Sequence, residues 1–161
     1  MLSKKIKTAL IDGYLDEPSA LGVPPYISPH IRYTYGALLC SGIPEEMISY
    51  YTIDQLRENW EDTLRELEGF ELVVIIAGTT VPGNYLGGKP ISFKEIREIG
   101  NRLFYPQKVL GGPFTLVIRE VPVYDLICDE VAAVTLYERL LDKNIDRNKI
   151  AQYLAEWAVA G

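Results

Sequence analysis

The feature that most constrains this chain is the run Leu72-Val73-Val74-Ile75-Ile76-Ala77. It is apolar throughout, rich in β-branched residues, and shows no alternation of polar and apolar positions. A strand with one wet face alternates, whereas a strand that does not is covered on both faces. Such a strand belongs in the interior of a sheet with helices packed above and below it, and the rest of the sequence must supply them.

It does so in alternation. Lys7–Tyr14 holds a short apolar stretch ending at Asp12-Gly13, and Met47–Thr52 reads as a second strand. Lys108–Leu110 reads as the fourth strand, closed by Gly111-Gly112-Pro113, with Phe114–Val117 extending it past the turn. Tyr124–Cys128 reads as the fifth, with Asp129 at its end. Between these lie helical patterns. Ile31, Tyr35, Leu38 and Leu39 follow Pro29-His30 at helical spacing and stop at Gly42. Thr52 with Gln55, and Ser92 with Glu95, are capping boxes, each hydroxyl placed to satisfy an orphan N–H three residues on. Leu56, Trp60, Leu64 and Leu67 then share one face, as do Ile96, Ile99 and Leu103. A helix over about Ala132–Leu141 follows, and Asp146 caps a last one carrying Ile150, Leu154 and Trp157. The order β-α-β-α-β-α-β-β-α-α predicts an α/β fold of the flavodoxin-like or Rossmann-like kind. This is a three-layer αβα sandwich on a mainly parallel five-stranded sheet, and 161 residues suit one such domain.

Charge and composition exclude several functions. The net charge of −6 is the wrong sign for a large phosphate-backbone footprint, and the one basic run, Lys4, Lys5 and Lys7, precedes the first strand, so no nucleic-acid partner is expected. No apolar run reaches the ~18 residues of a membrane span, and the first residues are polar and basic, which leaves the cytoplasm as the expected compartment. Cys40 and Cys128 stand in apolar surroundings with no CxxC spacing, as core thiols do.

Open parallel sheets bind ligands outside the carboxyl ends of their strands, at the switch point of the strand order. The candidate site residues are therefore Asp12, Gly13 and Tyr14, then Gly78, Thr79 and Thr80, then Gly111, Gly112 and Pro113, and Asp129. Glycine at such turns either lets backbone approach a ligand or lets a strand turn tightly with no ligand present. Both readings stand at this point. The loop Leu15–Pro29 far exceeds the ~2–6 residues of a tight βα connection. Its Leu21, Val23, Pro24, Pro25, Tyr26 and Ile27 are placed to cover the domain's own sheet edge, a flat ligand or another domain. No GxGxxG, GxxxxGK[ST] or GxSxG occurs. His30 is the only histidine, which excludes multi-histidine metal sites, and with no GxSxG the chain carries no signature of a Ser-His hydrolase. Gly78 stands where a receiver domain would carry its third-strand aspartate.

The segment Ile11-Asp12-Gly13-Tyr14-Leu15-Asp16-Glu17-Pro18, with Leu21-Gly22-Val23-Pro24-Pro25-Tyr26-Ile27-Ser28-Pro29, resembles the start of the N-terminal cobalamin-binding-like (B12-binding) domain of certain radical S-adenosylmethionine proteins. Gly111-Gly112 after a strand is similar to the Gly-Gly of cobalamin-binding domains. The resemblance covers nearly the whole chain. It implies cobalamin as a ligand of the residues at the strand ends, with Pro24, Pro25 and Tyr26 from the long loop. The DxHxxG loop of lower-ligand replacement is absent, since Asp12-Gly13-Tyr14-Leu15-Asp16-Glu17 has no histidine. The resemblance therefore implies a cobalt without a histidine ligand, with Tyr14 or Tyr26 near it. The family's [4Fe–4S] cluster needs three thiolates from CxxxCxxC, and this chain has two cysteines 88 positions apart. The cluster and S-adenosylmethionine are then expected in a C-terminal radical SAM domain after Gly161, which becomes this domain's partner, and no catalytic residue is expected here. Two further readings remain: a ligand-free docking module on the same fold, and a small free-standing flavin- or nucleotide-binding protein.

Overall fold

The computed structural model describes residues 5–14, 28–78, 88–118, 120–128 and 132–161. β1 (Thr8–Asp12), β2 (Ile48–Thr52), β3 (Leu72–Ile76), β4 (Gln107–Gly111) and β5 (Leu126–Ile127) form one sheet in the order β2-β1-β3-β4-β5, every pairing parallel. β1 and β3 are buried at all five positions, as strands covered on both faces must be. Their side chains alternate between two cores. Ala9, Ile11, Val73 and Ile75 point to one, and Leu10, Leu72, Val74 and Ile76 to the other.

The first core is closed by α2 (Ile53–Glu58), α3 (Trp60–Leu67), α4 (Phe93–Arg102) and α5 (Phe114–Val117), through Leu56, Leu64, Ile96, Ile99 and Phe114. The second is closed by α1 (Pro29–Cys40) and α6 (Ala132–Leu141), through Ile31, Leu38 and Leu136. Right-handed crossovers demand this division. The chain leaves β1 for β2 on one side and returns past it to β3 and β4 on the other. The flavodoxin-like three-layer sandwich is thus the fold observed. Both capping boxes form, with Thr52 accepting from the Gln55 N–H and Ser92 from the Glu95 N–H. No helix among the described residues is long and apolar enough to cross a membrane.

The structure adds a layer and alters three elements. α7 (Ile150–Ala160), reached through a 3₁₀ turn capped by Asp146, lies outside the sandwich against α1 and α6 and buries Trp157 among Ala37, Ala133 and Val134. The single helix expected after β2 is broken at Asn59, whose backbone (φ −136°, ψ 52°) leaves the helical region; asparagine competes poorly for helix interiors. Phe114–Val117 is a helical turn and not an extended strand, because Gly112 at φ 96° reverses the chain and Pro113 starts it in the helical region (φ −56°, ψ −25°). β5 is shorter than Tyr124–Cys128 because Tyr124 turns its ring into the first core, where its hydroxyl donates to the Ile96 carbonyl at 2.7 Å.

Candidate functional site

The strand order reverses between β1 and β3, so the switch point lies at Asp12 and Ile76. Asp12, 2 % exposed, ends β1 with its carboxylate inside the fold. Oδ1 accepts the Tyr14 N–H at 2.9 Å and Oδ2 accepts the Tyr50 hydroxyl at 2.8 Å. Burial pushes the Asp12 carboxyl above its ordinary range, against the two hydrogen bonds that favour the charged form. Burial, and then the charge of Asp12, push the Tyr50 phenol upward.

Tyr14 sits at φ 57°, a conformation that costs an L-residue roughly 1–2 kcal/mol. The Asp12 carboxylate holds it there from one side, and its own carbonyl accepts the Gly78 N–H at 3.2 Å. Its hydroxyl donates to Asp54 Oδ2 at 3.1 Å, and burial with the Asp54 charge raises its pKa.

Asp54, in the first turn of α2, passes the chain of contacts on. It also accepts the Gly88 N–H at 3.1 Å and Arg57 Nη1 at 2.9 Å. Arg57 meets Glu95 through Nε at 2.8 Å and Nη2 at 3.0 Å, and donates to the carbonyls of Lys89 and Pro90. Burial would raise the Glu95 pKa, but Arg57 and Ser92 outweigh it and hold the carboxyl below its ordinary range. The result is one polar relay, Tyr50–Asp12–Tyr14–Asp54–Arg57–Glu95–Ser92, that ties the end of β1 to the start of α4. Sequence reading found Asp12, Tyr14 and the Ser92–Glu95 box but missed Tyr50, Asp54 and Arg57 as partners, because no local spacing links Tyr50 to Asp12, Asp54 to Tyr14 or Arg57 to Glu95.

The rim glycines face the chain itself. A Cβ on Gly13 would stand 2.5 Å from Ile91 Cγ2 and 2.7 Å from the Ile76 oxygen, while the Gly13 N–H and C=O bond to Ile76 and Ile91 at 2.8 Å each. On Gly111 it would strike Ala132 Cβ, and on Gly112 it would stand 2.5 Å from the Ala77 oxygen. The Ala77 N–H and C=O bond across the rim to the Gly111 carbonyl and the Phe114 N–H. Pro113 opens α5. The described part of the rim is therefore closed by its own backbone and offers no open cradle for cobalamin. Thr79, Thr80, Pro24, Pro25, Tyr26 and Asp129 lie outside the described residues.

Two other places were candidates. His30 stands second in α1, behind the Ser28 cap, and its buried Nδ1 has no hydrogen-bond partner. An open groove of about 590 Å³ between α2–α3 and α4 is lined by Arg57, Trp60, Glu95 and Glu98. Its inner charges are already answered, Arg57 by Glu95 and Glu98 by the Trp60 Nε1–H at 2.8 Å. Cys40 lies in α1 and Cys128 after β5; Cys128 is buried, and burial pushes the Cys40 thiol up, so Cys40 is no activated nucleophile. No three His, Cys, Asp or Glu side chains converge on a metal position among the described residues.

No family model matches the chain, and no solved structure does. Two archaeal proteins do. An uncharacterized protein of Archaeoglobus fulgidus is 43% identical over 157 residues, which cover 94% of this chain and 28% of that protein. An uncharacterized protein of Methanocaldococcus jannaschii is 34% identical over 173 aligned positions, covering 96% of this chain and 31% of that protein. The chain spans less than a third of the length of these relatives, in which the matched stretch is a minor part of a longer polypeptide.

Proposed function

We propose that this chain is an accessory domain, B12-binding-like in fold, of a longer radical S-adenosylmethionine protein, and that it supplies a docking surface and no catalytic group. The observation that carries the docking part is the closure of the described part of the rim. Its charged groups answer one another along the relay, and its glycines are packed against the chain's own backbone. A rim built to act on a substrate would leave a base or nucleophile facing a cavity, and Asp12, the best-placed base, has both oxygens engaged. The length of the two relatives supports a place in a larger chain. The radical S-adenosylmethionine part rests on the resemblance of residues 11–29 alone.

Reading the coding sequence past Gly161 tests it. A downstream CxxxCxxC is the expected result; a stop codon, or a continuation without three closely spaced cysteines, sinks the radical part of the reading. The resemblance's cofactor reading rests on Asp12, Gly13, Tyr14, Gly78, Thr79, Thr80, Gly111, Gly112, Pro113 and Asp129 at the strand ends, with Pro24, Pro25 and Tyr26 from the long loop. If the domain carries cobalamin, incubation with hydroxocobalamin followed by gel filtration leaves a visible chromophore on the protein. A colourless protein peak is what the docking reading expects.

A further inference from the structure

We propose that Phe104 and Tyr105 form the knob through which this domain binds the remainder of the longer polypeptide. This inference rests on the accessory-domain reading above and names the surface that does the docking. α4 ends at Arg102, Leu103 returns to the core, and β4 begins at Gln107. Between them Phe104 is 83 % exposed and Tyr105 66 %. Aromatic rings of this size seldom stand free in water, because burying either would gain on the order of 2 kcal/mol.

The backbone beneath them is fixed. The Glu68 carboxylate, at the end of α3, accepts the Phe104 N–H at 3.0 Å and the Tyr105 N–H at 2.9 Å. Lys108 Nζ donates to the carbonyls of Gly100 and Leu103, and the Gln107 N–H to the Glu71 carbonyl at 2.9 Å. The backbone of the turn is thus ordered before anything binds, and two adjacent rings project from it, each with only two χ angles to fix on docking. Preorganised aromatic anchors of this kind dominate interface energetics, whereas Leu and Val are under-represented among hot spots. That distinction favours this pair over Leu116, Val117 and Val159, and its greater exposure favours it over the aromatics Phe93 (40 %) and Tyr50 (37 %). The Arg102–Glu61 ion pair nearby supplies part of a polar rim.

The occupant follows from length and charge. More than two thirds of each relative lies outside the matched stretch, so in those proteins this domain is joined to a body at least twice its size. A second copy is the poorer fit, since a two-fold contact through the knob would bring Glu68 and Glu71 of both copies together in a chain of net charge −6. The knob also lies at the amino end of β4, so docking there leaves the opposite rim uncovered.

Photo-crosslinking in the full-length polypeptide tests this, with p-benzoylphenylalanine placed at position 104 in one variant and at position 116 in another. The expected result is cross-links from position 104 to peptides outside residues 1–161. Cross-links only within residues 1–161, only to a second copy, or none at all would overturn the inference. Cross-links to the remainder from position 116 alone would leave the accessory-domain reading standing and sink the knob. A reading frame that ends at Gly161 sinks the reading itself. As a second measure, Phe104→Ala with Tyr105→Ala should raise protease cleavage of the connecting segment about 30-fold, the loss of one hot-spot residue. The unfolding midpoint of the isolated domain should stay unchanged, because neither ring touches its core.

Discussion

At Asp12 the chain buries a carboxylate with a tyrosine hydroxyl and one backbone N–H as its hydrogen-bond donors. Its folded pKa lies above the ordinary 3.8, so between those two values the folded state holds a proton that the unfolded state has released. The contribution of this group to stability is therefore greatest in acid and declines as pH rises from about 3.8 through the folded value. Asp12→Asn removes the titration. The difference in unfolding free energy, variant minus wild type, should rise with pH over that window, as read from urea denaturation at several pH values between 3 and 8; a difference flat with pH would refute it. Gly112 makes a sharper demand. It combines φ 96° with an Ala77 oxygen 2.5 Å from where a Cβ would go. Gly112→Ala should cost about 3 kcal/mol, from a left-handed backbone plus a clash with main chain that cannot rotate away. The measurement is the shift in urea midpoint. A loss below roughly 1 kcal/mol would show that the rim opens more easily than its hydrogen bonds imply.

At the level of elements, Arg57 links α2 to the entry of α4, and its five-donor fork explains why. Arg57→Ala should destabilise by about 2–3 kcal/mol, mostly by leaving the half-buried Glu95 without its counter-charge, with only Ser92 still donating to it, and two carbonyls without the Arg57 donor. Arg57→Lys should recover less than half of that, since one ammonium cannot reach Asp54, Glu95 and both carbonyls together. Full recovery by lysine would mean that charge alone matters there. These elements differ in how far the sequence announces them. The capping boxes at Thr52 and Ser92 and the bare apolar run of β3 are local signals, and each appears where expected. The break at Asn59 and the helical turn at Phe114 hang on single residues, Asn59 and the Gly112-Pro113 pair, inside patterns that read otherwise, whereas the shortened β5 depends on a tertiary partner, a bond from Tyr124 to a carbonyl 28 residues away. The relay is harder still, because the three links that join its elements span 38 to 40 positions. Composition marks Tyr50, Asp54 and Arg57 as ordinary surface polar groups.

For the whole molecule, the three layers follow from alternation and crossover handedness, but the placement of α7 does not. Its apolar residues Ile150, Leu154 and Trp157 say that it packs, and say nothing of where. The answer lies in α1, at Gly36. There α7 comes so close that a Cβ on Gly36 would strike the Trp157 carbonyl group. Trp157 is 1 % exposed and stands in a ring cluster with Tyr137 and Tyr153, centroids 5.1 and 5.7 Å away. Backbone against backbone leaves α7 no way to yield except by moving as a unit. Gly36→Ala should therefore lift α7 from α1, lower stability by about 3 kcal/mol and expose the Trp157 ring. In a Trp60→Phe background, which isolates Trp157, the tryptophan emission should shift to the red in the native state. Gly69→Ala serves as the control, since its added methyl would meet only the Glu66 oxygen, at 3.3 Å. An unshifted emission in Gly36→Ala, with stability equal to that control, would mean that α7 is not seated against α1 and that the fourth layer is not part of the fold.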